Sequence, residues 1–176
     1  MDDVISIWKE LSFKTLLEKT EYVAEEHSTT ETTFEIVENV NSSFLVDEMS
    51  LHLELYDEQY HRADLLGIAL SDGEKSYFIP GKTAFQSKEF CAWLEDESKI
   101  KYVVDSKATQ AVSRKHGVSI AGVEFDLTLA AYIDNASLTA DDVATIGKEY
   151  GYYNVLSNEQ IYGKRKKKSV PEQEKL

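Results

Sequence analysis

The sequence predicts an α/β fold, a mixed β-sheet covered by helices. Two observations carry that expectation. Three apolar-rich segments follow one another between residues 50 and 80, and Asp72-Gly73 joins the last two, which is the pattern of antiparallel strands linked by a tight turn. Beyond residue 85, stretches with helical apolar spacing alternate with short β-rich runs. At 176 residues, 42% hydrophobic and 11% aromatic, the chain suits one domain with a real core rather than a disordered polymer.

The elements follow in order. Residues 1–32 read as a helical lead-in, ISIWKELSFKTLLEKTEYV, with Ile5, Trp8, Leu11, Leu16 and Leu17 near helical spacing, running into the polar connector EEHSTTETT. TFEIVENV (33–40) is β-rich, and NSSFLVDEM suggests a short helix capped by Asn41 or Ser42. SLHLELYDEQYH (50–61) is a strand entering a turn, with Leu51, Leu53 and Leu55 on one side and His52, Glu54 and Tyr56 on the other. The runs 65–70 and 76–80 form the hairpin. SKEFCAWLED has helical spacing at Phe90 and Trp93 or Leu94, and KYVVD (101–105) is a short buried strand. SKATQAVSRKHG (106–117) is a helix with Ser106 as N-cap and Gly117 as its stop. VSIAGVEFD returns to β structure. DLTLAAYIDN is a helix capped by Asp126, and LTADDVATIGKEYG is another, from Thr139 to Gly151.

The formal charge of −13 is unevenly spread. Residues 164–176 hold six of the 19 basic and two of the 32 acidic side chains, which leaves a net of −17 on residues 1–163. That body repels phosphate backbones. The run Lys164 to Lys168 is flanked by Gly163 and Pro171 and lacks interleaved aromatics, so a solvated linker is favoured over a nucleic-acid contact. No apolar run approaches the roughly 18 residues of a membrane-spanning helix, and MDDVISIWKE lacks the features of an export signal. A single cysteine, Cys91, excludes an internal disulfide and points to a reducing cytoplasm. Its neighbours Phe90 and Trp93 make it a buried small hydrophobe before a nucleophile.

Little chemistry is visible in isolation. His52 and Glu54 share a strand face, but His-x-Glu offers one hard anionic ligand where Asp-x-Glu would offer two. The four histidines, His27, His52, His61 and His116, show no metal-ligand spacing, and no phosphate-binding glycine loop or nucleophile elbow occurs. Asp105 reads as a helix-capping carboxylate, with Lys107 and Thr109 following it.

Three ordered segments carry a family resemblance: LHLELYDEQYHRADLLGIAL, VVDSKATQAVSRKHGVSIAGVEFDLTLAAYIDN and IYGKRKKKSVP. Together they resemble the 3′-to-5′ exonuclease-like domain of bacterial DNA polymerase I, and more narrowly the branch that has lost proofreading. The resemblance covers roughly residues 33–171, and LSFKTLLEKT resembles the segment joining this domain to a preceding 5′ nuclease domain. It implies an RNase H-like fold with a five-stranded mixed sheet. Active members bind two divalent metals through four carboxylates. Their first motif, Asp-x-Glu, falls on His52, Leu53 and Glu54, so only the glutamate is kept. Their second, Asn-x-Lys-x-Asp, falls on Asp105, Lys107 and Thr109, so its metal-binding aspartate is a threonine. Their third, Tyr-x-x-x-Asp, follows the basic segment on a later helix; Tyr60 to Asp64 has that spacing but lies in the first hairpin, and no Asp follows Asp142.

One matching carboxylate against a charge of +4 implies a site that does not hold two metals. Losing several kcal/mol of transition-state stabilisation slows a reaction by roughly 10³-fold or more. The leading expectation is a degenerate, inactive exonuclease-like domain with no cofactor, retained as a structural spacer and docking domain within a cytoplasmic DNA polymerase I. Residues 1–32 are its lead-in, 33–160 its body and 161–176 a basic tail. Its partners are the polymerase and 5′ nuclease domains of the same parent chain, with DNA reached only through the polymerase, no membrane, and the isolated chain monomeric. His52, Glu54, Asp105 and Thr109 are then vestigial positions, Asp126 caps its helix, and Gly67 allows a strand or helix to approach closely. The alternative is an active nuclease with a rearranged set, Glu54 and Asp105 with Asp57 or Asp126. A third class is a module that guides single strands without cutting them.

Overall fold

The computed structural model describes residues 33–163, apart from 57–58, 137, 139–141 and 154. Among these residues six strands form one mixed sheet: β1 (Phe34–Ile36), β2 (Glu48–Leu55), β3 (Leu65–Ser71), β4 (Ser76–Pro80), β5 (Ile100–Val103) and β6 (Val123–Asp126), in spatial order β1-β4-β3-β2-β5-β6. Strands β2, β3 and β4 are antiparallel, while β5 runs parallel to β2, β6 to β5, and β1 to β4. The sixth strand departs from the five expected. It arises because Phe34–Ile36 lies parallel to Ser76–Phe78 at the sheet edge, so the imperfectly alternating TFEIVENV becomes an edge strand. Six helices are described: α1 (Gly81–Ala84), α2 (Lys88–Glu95), α3 (Ser106–Lys115), α4 (Leu127–Asp134), α5 (Val143–Glu149) and α6 (Asn158–Tyr162).

The core follows from strand periodicity. Cross-strand pairing joins Leu51 to Leu70 and Val103, and Leu53 to Ile68, putting these side chains on one face of the sheet. Phe90, Trp93 and Leu94 of α2 and Val112 of α3 pack with them, and each is at most 5% exposed. Burying side chains of this size is worth about 1.5–3 kcal/mol each, which makes this layer the main source of stability. The β3–β4 turn forms at Asp72-Gly73: Gly73 has φ of +93°, and Asp72 Oδ1 accepts the amides of Glu74 at 2.9 Å and Lys75 at 2.7 Å.

Lys101 is an exception within the core. It lies on the core face beside Met49, is wholly buried, and its Nζ donates to the Asp96 carbonyl at 2.6 Å from 4.8 Å above the Trp93 ring. The ammonium thereby satisfies a carbonyl at the end of α2, at a cost: burial lowers its pKa from 10.5 to about 8.

Local expectations fare unevenly. Residues 41–47 form turns in place of the short helix, because Asn41 Oδ1 accepts the Ser43 amide at 2.9 Å and the Val46 carbonyl is turned to the Trp93 indole N–H at 2.8 Å. The cap of α3 is Asp105, whose side chain accepts the Ala108 amide; Ser106 is the first helical residue. Gly117 (φ +77°) and Gly151 (φ +86°) stand just past their helices as expected. The 5–23 lead-in, Thr139 and the basic run lie outside the described residues, and Asp142 caps α5 as described.

Candidate functional site

The expected site lies on the face of the sheet opposite the core. Ser50, His52 and Glu54 alternate with the core leucines along β2, and their cross-strand partners on β3 are Ser71, Ala69 and Gly67. The pairing register shifts between Glu54 and Leu55, a bulge that turns the strand at the glutamate. The ring of Phe78 takes the space above Gly67, so near that a Cβ there would stand 2.1 Å from it. The close approach expected at Gly67 is thus made by an aromatic side chain, not by a strand or helix.

Glu54 has a hydrogen-bond partner on one oxygen and a neighbouring imidazole at the other. Its Oε1 accepts a hydrogen bond from the Tyr162 hydroxyl, and its Oε2 lies 3.4 Å from His52 Nε2. Tyr162 is 2% exposed and stands edge-on to Tyr56, with ring centroids 5.8 Å apart. Burial, reinforced by the Glu54 carboxylate, pushes the phenol well above its ordinary pKa, so it stays a neutral donor. Reading the sequence misses Tyr162 and assigns it to the tail, although α6 spans Asn158–Tyr162. A signal was present: Ser157-Asn-Glu-Gln160 is a capping-box sequence, and Gln160 Oε1 accepts the Ser157 amide at 2.8 Å.

The second expected position is also spent locally. Because β5 runs parallel to β2, α3 begins at the end of the sheet where Glu54 lies. Asp105 Oδ1 accepts the Ala108 amide at 2.9 Å, and the Thr109 hydroxyl turns back to donate to the Asp105 carbonyl at 2.6 Å. Thr109 is 3% exposed. Asp126 links two helices: Oδ2 accepts the Ser106 amide of α3 at 2.7 Å, and Oδ1 accepts the Leu129 amide of α4 at 3.0 Å and the Thr128 hydroxyl at 2.7 Å. Burial raises its pKa, but the hydrogen bonds from Ser106, Leu129 and Thr128 outweigh that and hold it below the usual carboxylate range. Asp57 lies outside the described residues. Among the described residues, no three His, Cys, Asp or Glu side chains converge as a cation site. Among the described residues the donors do not fit the pair of divalent metals that the fold family implies for its active members: a single carboxylate that accepts from a phenol and lies beside an imidazole stands at the first motif.

A groove of about 460 Å³ opens along the same face, with Phe34, His52, Phe78, Tyr102 and Phe125 among its walls. Its lining is largely apolar, with aromatic rings interspersed among aliphatic side chains, and Tyr102 turns its hydroxyl to Glu48 at 3.3 Å. Cys91 lies away from it on α2, half-buried against the core where full burial was expected, its Sγ 3.6 Å from the Phe85 carbonyl, and this partial burial raises its pKa.

The family model for the DNA polymerase I ribonuclease H-like domain matches residues 51–176. The chain belongs to this family. It is 36% identical to DNA polymerase I of Bacillus subtilis over 179 residues, a match covering 99% of the chain and 20% of that protein. It is 34% identical to the Geobacillus stearothermophilus enzyme, covering 99% and 20%, and 33% identical to that of Streptococcus pneumoniae, covering 81% and 16%. The chain thus spans about a fifth or less of these polymerase I relatives. Two solved structures share the RNase H-like fold at lower identity. Brucella melitensis NrnC has a TM-score of 0.56 at 18% identity over 74% of this chain and 72% of its own. Escherichia coli RNase D, an exoribonuclease involved in structured RNA processing, has a TM-score of 0.54 at 18% identity over 68% and 33%.

Proposed function

We propose that this polymerase I ribonuclease H-like domain is a non-catalytic member, serving as a structural spacer and docking body within a longer DNA polymerase chain. The carrying observation is the use of Glu54, the one carboxylate left from the first motif, as the acceptor for a buried tyrosine hydroxyl. Metal-assisted hydrolysis requires a free, charge-dense ligand set that positions two cations at the scissile phosphate. Here Thr109 bonds to backbone, while Asp105 and Asp126 cap helices. Removing the cations' positions while keeping a packed core preserves shape without chemistry. Residues 33–160, extended to Tyr162 by α6, form the spacer body, between the lead-in and the basic tail in sequence. The partners are the polymerase and 5′ nuclease domains of the parent, in the cytoplasm, with DNA contacted through the polymerase.

Titrating Mn²⁺ into the chain by calorimetry tests the reading. The expected result is no saturable binding at millimolar metal; saturable uptake that Glu54→Ala abolishes would restore the active alternative.

A further inference from the structure

We draw no further inference here: the strongest candidate, the apolar groove that Phe34, Phe78, Tyr102 and Phe125 line on the sheet face opposite the main core, carries none because nothing in the structure shows what covers it.

Discussion

At the residue scale, Lys101 shows how sequence pattern and physical cost diverge. KYVVD is legible as a buried strand, but nothing in it says that the lysine points inward, because register depends on pairing with β2, and Met49 lies opposite. The buried amine has a measurable consequence. Its folded pKa, about 8, lies below the ordinary 10.5, so between those values the unfolded chain binds more protons and stability rises with pH. Below about pH 8 both states are protonated and the burial penalty is present in full. Tyr102, Tyr150 and Tyr162 have raised phenol pKa values, so they oppose the rise above about pH 10. Denaturant midpoints are therefore expected to climb from pH 7.5 to 9.5 in the parent chain and to stay flatter in Lys101→Met, which keeps the packing without the charge. Equal slopes for the two would remove Lys101 as the cause.

At the element scale, helices were legible from apolar spacing, as in α2, or where an acidic residue precedes an apolar run, as at Asp126 before α4. The error at 41–47 came from side chains that serve turns and caps equally well. Helix α6 was hard to see because five residues are too few to show helical apolar spacing. Asp126 carries a load that sequence hides, since it caps α4 and also receives the Ser106 amide of α3. Asp126→Ala is expected to cost about 2 kcal/mol or more in urea unfolding, against about 1 kcal/mol for Asp142→Ala, which frees the single Thr145 amide. Equal costs would show that the Ser106 bond adds nothing.

At the scale of the whole molecule, the antiparallel hairpin and the later helix–strand alternation were enough to indicate a mixed sheet, and the sheet carries them in the expected order. The edge strand β1 was harder to see because three exposed residues leave little periodicity. Motif resemblance singles out His52, Glu54, Asp105 and Thr109, but what surrounds them was not legible, since the Glu54–Tyr162 contact spans 108 residues. A cation approaching this glutamate would meet the buried Tyr162 phenol on Oε1 and the His52 ring beside Oε2. The most direct measurement is digestion of a 3′-labelled single-stranded DNA by the chain in Mg²⁺ or Mn²⁺, with Glu54→Ala alongside. No metal-dependent shortening above that of Glu54→Ala is expected; shortening from the 3′ end that needs the metal and disappears in Glu54→Ala would contradict the non-catalytic reading.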